Sequence, residues 1–147
     1  MNELNNLYQE IILDHNKNPR NWGKIDKPSN FAEGFNPLCG DKINLYVNIA
    51  DDVISEIKFE GNGCAISKAS ASVMTTLVKG KTKSEIAKIY NEFHQIITEG
   101  CNHDHYIDEN LEVFCGIRDY PGRVKCAALA WHTLNDILKR IDNNFGG

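Results

Sequence analysis

The sequence predicts an α+β fold, in which a small antiparallel sheet of about three strands packs against helices. Two runs of alternating apolar and polar residues, 42–50 and 55–59, indicate a hairpin. Segments with helical spacing precede and follow these runs, which argues against alternating βαβ units. The length of 147 residues and the 41% hydrophobic content suit a single hydrophobic core, so residues 1–147 are expected to form one domain.

The first helix is predicted at the beginning of the chain, where apolar residues recur at helical spacing. Asn18-Pro19 ends this pattern, so the helix should stop near His15. Residues 18–41 are rich in Pro, Gly and Asn and are interpreted as a connector within the domain. Within the connector, residues 31–35 could add a short edge strand, although Gly34 weakens that pattern. The residues that define the first helix are Leu4, Leu7, Tyr8, Ile11 and Ile12.

Three further helices are predicted after the hairpin. The second follows Cys64, is rich in Ala and Ser, and should end at Gly80, so it is expected to pack closely on its neighbours. Thr82 and Glu85 have the spacing of a capping box and should begin the third helix. The last helix is predicted from about Arg123 to Ile141.

Charge and hydropathy exclude several classes of protein. The net charge of −4 and the pI near 5.7 leave no broad basic surface for nucleic acid. No apolar run approaches the roughly 18 residues of a membrane span, and the polar N-terminus does not have a signal-peptide pattern. We therefore expect a cytoplasmic protein without nucleic-acid or membrane partners, whose five cysteines are free thiols.

Three cysteines and one carboxylate occupy positions suited to metal binding. Cys39 and Asp41 flank Gly40 where the connector meets the hairpin, and a turn there can direct both side chains to one point. Cys64 follows the second hairpin strand, which returns the chain to the same end of the sheet. Cys126 is predicted in the opening turn of the last helix, where the helix dipole would stabilise its thiolate.

Together, three thiolates and one carboxylate could form a tetrahedral shell for zinc or for iron in a cluster. Such a shell around a divalent ion has a formal charge of −2, and Arg123 and Lys125 are the local cations that could balance it. The residues alone leave another interpretation open, in which each cysteine is only a small buried apolar side chain. The chain has no Cys-x-x-Cys pair, so neither a zinc ribbon nor a thioredoxin-type centre is indicated.

Several segments resemble one known family over essentially the whole chain. These segments are LYQEIILDHNKNPRN, NPLCGD, GNGCAIS and RVKCAALAW. The chain resembles the U-type iron–sulfur cluster assembly proteins, the NifU N-terminal or IscU-like family, and within it the SufU branch. The resemblance implies the SufE/NifU-like fold and metal ligands at Cys39, Asp41, Cys64 and Cys126.

Two features favour the SufU branch over the IscU branch. IscU-like proteins place a His just before the last cysteine, where this chain has Lys125, and the chain has a longer insertion between Cys64 and Cys126. The resemblance then implies a zinc-dependent sulfur carrier that accepts persulfide sulfur from a SufS-like cysteine desulfurase, rather than a free-standing enzyme. Cys39 is the expected acceptor, because Gly40 should let its loop swing outward.

Other functions remain open at this point. The same shell could bind a nascent [2Fe-2S] cluster and pass it to acceptor proteins, and other assembly proteins could then be partners. Another possibility is a structural zinc module that only mediates interactions. In that case an Asp41→Ala variant would still stimulate its partner fully. A cysteine hydrolase that uses Cys126 is a further alternative, but the spacing of the sequence assigns no catalytic His to it. Hydrolysis activity that chelators do not affect would be needed to support it.

The remaining cysteines and histidines are expected to be structural. Cys101, His103 and His105 could form a second metal site in an extended loop, but a polar loop is the favoured interpretation. Cys115 is expected to fill part of the core. The other three histidines, on predicted helices, are expected to be structural as well: His15, His94 and His132.

Overall fold

The computed structural model describes residues 2–101 and 108–144. The expected α+β architecture is confirmed, with a three-stranded antiparallel sheet and helices packed against it. In chain order the elements are α1 (Asn2–Lys17), β1 (Asn30–Asn36), β2 (Asp41–Ala50), β3 (Val53–Asn62), α2 (Ala65–Val78), α3 (Lys83–Glu99), a 3₁₀ helix (Glu109–Asp119) and α4 (Pro121–Asn144).

The sheet has the order β1-β2-β3, and its inner face packs against α2 and α4. The predicted edge strand exists as β1, which pairs with β2 so that Asn36 lies opposite Asp41. The hairpin turn at Asp51 and Asp52 has positive φ at both residues, as a two-residue turn between twisted strands requires. Alternation places apolar side chains on the inner face: Ala32, Ile43, Leu45, Val47, Ile54, Ile57 and Phe59 are buried.

Small residues let α2 approach α4 closely, as the sequence predicts. Ser70 is fully buried between them, and its hydroxyl donates to the carbonyl of Ala127 at 2.6 Å. The indole N–H of Trp131 donates to the same Ser70 oxygen at 3.1 Å. Both polar groups are therefore satisfied inside the core, and the two helices are held in register at this point.

The third helix begins at the capping box that the sequence predicts. The Thr82 side chain accepts from the backbone N–H of Glu85, and the Glu85 carboxylate accepts from that of Thr82. On the inner face of α3, Phe93 stacks on Trp131 with ring centroids 4.5 Å apart. The edge of Phe93 also meets Phe114 of the 3₁₀ helix.

The sequence pattern did not predict the 3₁₀ helix, which lies in the longer insertion before α4. It buries Leu111, Val113, Phe114 and Ile117 against the core. Cys115 in this helix forms a disulfide with Cys101, so the expectation that all five cysteines are thiols is wrong for these two. Cys115 itself is half-buried and does not fill the core as a free side chain.

The three histidines expected to be structural lie on helices, as predicted. His15 is buried between α1 and α2, with its Nδ1 atom 2.8 Å from the Ser72 hydroxyl. His94 and His132 are exposed, and His132 Nδ1 lies 3.1 Å from the Tyr90 hydroxyl.

Candidate metal centre

The connection between β1 and β2 carries Cys39 and consists of residues 37–40. Gly40 donates its backbone N–H to the carbonyl of Asn36 at 2.8 Å and has a φ of +72°. A residue with a side chain would be strained at this φ, so glycine suits the turn. Cys39 is exposed at the tip of this loop, whereas the two strand residues that close it, Asn36 and Asp41, are buried.

Asp41 is a fully buried carboxylate with one satisfied oxygen. Its Oδ1 atom accepts from the backbone N–H of Cys64 at 2.9 Å. Its Oδ2 atom is buried and has no hydrogen-bond partner among the residues that the structure describes. A buried carboxylate oxygen without a partner is energetically costly, and a bound cation would remove that cost.

Gly63 has no side chain, and the Asp41 carboxylate occupies the space that a side chain there would fill. A Cβ atom at this position would lie 2.5 Å from Asp41 Oδ1 and 2.6 Å from the Ser67 hydroxyl oxygen. Such contacts are too short for either side chain to remain in place. The absence of a side chain at position 63 therefore keeps the carboxylate against Cys64.

Cys64 is the N-cap of α2. Its Sγ atom accepts from the backbone N–H of Ser67 at 3.4 Å, which satisfies one of the free donors at the helix start. The N-terminal end of a helix attracts negative charge. The sequence predicted this environment for Cys126, and the structure gives it to Cys64.

Cys126 lies in the second turn of α4, because the helix begins at Pro121 and not near Arg123. The residue is fully buried, and its Sγ atom lies 3.5 Å from the carbonyl of Gly122. Burial raises the pKa of the Cys126 thiol, and its contacts with Asp41, Cys39 and Cys64 raise it further. The position in the second turn and the raised pKa both disfavour a Cys126 thiolate, contrary to the prediction that the opening turn of α4 would stabilise it.

The four side chains meet at one end of the sheet, and we call this group the thiol cluster (Cys39, Asp41, Cys64 and Cys126). One ligand atom each from Cys39, Asp41 and Cys126 lies within 4.8 Å of the other two. The Cys126 thiol donates to Cys39 Sγ at 3.3 Å. Cys64 lies outside that set of three, but its thiol interacts with Cys126. Three sulfur donors and one oxygen donor suit zinc or iron.

Of the two predicted cations, Arg123 lies at the thiol cluster. Its side chain is exposed and lies beside the sulfurs of Cys64 and Cys126. The negative charge that these sulfurs carry when ionised raises the pKa of the guanidinium group, and Cys64 contributes more strongly. Lys125 is exposed, and among the described residues no hydrogen bond or ion pair joins it to the cluster. The structure thus brings one cation to the thiols.

The second metal site considered for the insertion lacks its cysteine ligand. Cys101 is joined to Cys115, so its sulfur is not available to a metal while the disulfide is intact. His103 and His105 lie outside the described residues.

Sequence reasoning missed three residues that shape the thiol cluster. Gly63 makes room for Asp41, Ser67 donates to the Cys64 sulfur, and Asn36 contacts Cys126. The inward position of Asn36 follows from the alternation of β1, which places it on the same face as Ala32. A polar residue at an inward strand position is the signal that could have identified it.

No helix in the described part of the chain is long and apolar enough to cross a membrane.

Comparisons with known proteins relate the chain to iron–sulfur assembly proteins. The NifU-like N terminal domain family matches residues 7–127. The iron-sulfur cluster assembly scaffold protein IscU of Thermotoga maritima is 41% identical over 135 residues, which are 92% of this chain and 94% of that protein. The zinc-dependent sulfurtransferase SufU of Bacillus subtilis is 42% identical over 135 residues, which are 89% of this chain and 88% of that protein.

Solved structures give the same relationship. A crystal structure from Fervidobacterium islandicum AW-1, of a protein assigned as a cluster assembly scaffold of the SUF system, has a TM-score of 0.76 and 38% identity. The match covers 88% of this chain and 94% of that one. The N-terminal part of a NifU-like protein from Brucella abortus has a TM-score of 0.84 at 24% identity, over 95% and 97% of the two chains, and supports the fold.

Proposed function

Because the chain belongs to the family of NifU-like N-terminal domains, we propose that it acts in iron–sulfur cluster biogenesis as a zinc-dependent sulfur acceptor. A SufS-like cysteine desulfurase is the proposed donor of the sulfur. The relative from Bacillus subtilis that is named a zinc-dependent sulfurtransferase supports this activity. The cytoplasm is the proposed location, and residues 1–147 are proposed to act as one domain.

The observation that carries the proposal is the convergence of Cys39, Asp41 and Cys126 around an unpaired carboxylate oxygen. Their ligand atoms lie within 4.8 Å of one another, and Asp41 Oδ2 is buried without a partner among the described residues. A buried carboxylate oxygen without a partner is costly, and a cation held beside it and the two sulfurs would offset that cost. The donor set fits zinc, which Cys39, Asp41, Cys64 and Cys126 would hold.

Zinc, when bound, keeps cysteine sulfurs deprotonated at neutral pH. The chain supplies the remaining requirements. Burial of Cys126 and the hydrogen bonds of Asp41 and Cys64 fix these three groups in the framework of the sheet, α2 and α4. Cys39 differs, because it is exposed on a four-residue loop next to a glycine with positive φ.

We assign sulfur acceptance to Cys39 on this difference. The Cys39 thiolate would attack the terminal sulfur of a persulfide on the desulfurase, forming a new S–S bond at Cys39. The S–S bond of the donor breaks, and its electron pair leaves with the donor cysteine as a thiolate. No external oxidant or reductant is needed, because the transferred sulfur keeps its oxidation state. Arg123, beside Cys64 and Cys126, supplies positive charge near the thiolates.

The second candidate function is scaffolding, in which a [2Fe-2S] cluster is the cargo. The sulfur-rich donor set of the thiol cluster supports it, since iron–sulfur clusters are held by cysteine thiolates. The relative from Thermotoga maritima is named a scaffold protein. Lys125 stands where IscU-like proteins have a His, and this difference favours sulfur transfer.

Metal analysis together with a desulfurase assay tests the two functions. For sulfur transfer, we expect one zinc per chain, stimulation of a SufS-like desulfurase, and loss of stimulation in Cys39→Ser. The control variant is the double replacement of Cys101 and Cys115 by Ser, outside the thiol cluster, which should retain stimulation.

Two results would contradict this proposal. A brown protein with an iron–sulfur absorption band and no effect on the desulfurase would support scaffolding instead. Persulfide transfer that survives in Cys39→Ser but is lost in Cys64→Ser would reassign the acceptor.

A further inference from the structure

The side chain of Asn36 connects the Cys39 loop to Cys126. Asn36 is buried at the end of β1, with 7% of its surface exposed. Its Oδ1 atom accepts from the backbone N–H of Leu38 at 3.2 Å, and its Nδ2 atom donates to Cys126 Sγ at 3.9 Å, a long contact to a sulfur acceptor. One amide therefore contacts both its own loop and Cys126, which lies 90 residues after Asn36 in sequence.

The loop requires this orientation of the amide group. The Leu38 N–H can only donate, so the Asn36 oxygen must face the loop and the NH₂ group must face the sulfur. The Cys126 thiol has two acceptors for its one proton, Cys39 Sγ at 3.3 Å and the Gly122 carbonyl at 3.5 Å, so its sulfur can accept from Asn36. The backbone carbonyl of Asn36 also holds the loop, through Gly40 N at 2.8 Å.

We propose that Asn36 is a positioning residue that latches the Cys39 loop over Cys126. The inference rests on the proposed function in one respect, because sulfur transfer requires Cys39 to move away from its partners. When the loop opens, Leu38 must leave Asn36 Oδ1 and Cys39 Sγ must leave Cys126. The stability of the Asn36 contacts thereby sets how often the loop opens and how often Cys126 becomes accessible.

A latch and a purely structural amide predict different results. If Asn36 only satisfies buried polar groups, its removal destabilises the whole fold, and every buried thiol becomes accessible through global unfolding alone. If Asn36 is a latch, Cys126 becomes accessible through local opening of the loop, beyond what the loss of global stability explains. The loss of a hydrogen bond that keeps the loop closed should then raise accessibility about tenfold.

The test measures alkylation of Cys126 by iodoacetamide in the metal-free full-length chain, resolved from Cys39 by peptide mass spectrometry. Unfolding in urea is measured in parallel. We expect Asn36→Ala to raise the Cys126 rate about tenfold, by more than its unfolding constant rises. Asn36→Ser, which can still accept from Leu38 N but cannot reach the sulfur, should raise the rate less, about threefold. It also provides the test if the alanine variant does not fold.

The matched control is Asn44→Ala, which removes a neighbouring asparagine of the sheet that has no place in the loop. This variant should leave the Cys126 rate unchanged. Two results would overturn the latch. In the first, the alkylation rate of Cys126 in both Asn36 variants stays within twofold of wild type. In the second, that rate rises only in proportion to the unfolding constant. If the wild-type chain bound no zinc, the proposed function would fail, while the alkylation rates would still decide the role of Asn36.

Discussion

Two pairs of cysteines lie close together in this protein, but their chemistry differs. The sulfurs of Cys101 and Cys115 are joined in a disulfide. Those of Cys39 and Cys126 lie 3.3 Å apart and remain thiols, linked by a hydrogen bond. Proximity of two sulfurs therefore does not identify a metal site.

The groups around the two pairs also differ. The Cys39–Cys126 pair has a buried carboxylate, the N-terminal end of a helix and the Arg123 guanidinium group beside it. The Cys101–Cys115 pair links the end of α3 to the 3₁₀ helix, whose apolar residues are buried in the core. The first pair lies among groups that would suit a bound metal ion, and the second pair joins two elements of the fold.

The largest expected effect is on metal affinity in Asp41→Asn. The amide oxygen can still accept from Cys64 N, so the metal-free fold should be retained, but the negative charge on the second oxygen is lost. We expect zinc affinity to fall about 100- to 1,000-fold, or roughly 3–4 kcal/mol. Competition with a chelating dye measures it. The control Asp119→Asn, at an exposed carboxylate in the other region, should leave the affinity unchanged, and an equal loss there would argue against the site.

Reduction of the Cys101–Cys115 disulfide should lower stability by about 2–3 kcal/mol, because the bond closes a loop with a sequence separation of 14. Thermal unfolding of the metal-free chain with and without dithiothreitol measures the change. The double variant with Ser at both positions should be insensitive to the reductant. Alkylation of Cys39 should be the same before and after reduction, and a large change would show that the two regions are coupled.

Gly63→Ala and Gly116→Ala form a matched pair across the two regions. An added Cβ at 63 would collide with Asp41 and Ser67, whereas at 116 it would meet nothing within 4 Å. We expect Gly63→Ala to destabilise the fold by about 2 kcal/mol and to weaken zinc binding by 10- to 100-fold. Gly116→Ala should change neither. Urea unfolding and zinc competition on both variants check this, and equal effects would contradict the account of Gly63.

The smallest expected effect is a pH dependence at His15, away from both cysteine pairs. Burial lowers the pKa of His15, nearby Arg20 lowers it further, and Asp14 opposes them. Between the folded and unfolded pKa values of His15, the unfolded chain binds more protons than the folded chain. The contribution of neutral His15 to the free energy of unfolding is therefore fully present above about pH 6.5 and is lost as the pH falls below it.

The His15→Gln variant should show a weaker loss of stability between pH 7 and pH 5, measured by urea unfolding. His132→Gln is the comparison variant and should also weaken the loss, since partial burial of the ring and nearby His94 lower the pKa of His132 in the same direction. An unchanged pH slope in His15→Gln would show that the buried imidazole does not drive the dependence.

Local patterns predicted much of the fold. The alternation of β2 and β3 and the capping box of α3 follow from neighbouring residues, and these elements are found where the sequence places them. The start of α4 was placed at about Arg123, two residues late, since Pro121 is tolerated in the first turn of a helix and belongs to it. That error moved Cys126 into the wrong turn.

Tertiary features of the candidate site could not be predicted from local patterns. The Cys101–Cys115 disulfide depends on how the insertion folds back on α3, and spacing does not define it. The roles of Asn36 and Gly63 depend on contacts with residues on other elements. The four proposed ligands were named from turns and from the family resemblance, and their function as ligands stays a prediction.

The buried hydroxyl of Ser70 links the two helices that carry Cys64 and Cys126. Cys64 caps α2, Cys126 lies in α4, and Ser70 bonds to the residue directly after Cys126. A sliding movement of one helix along the other would separate the two sulfurs even if every strand remained intact. If Cys64 and Cys126 bind a metal as proposed, an assay of metal retention would also report on the packing of these helices, and would detect its loosening before secondary structure is lost.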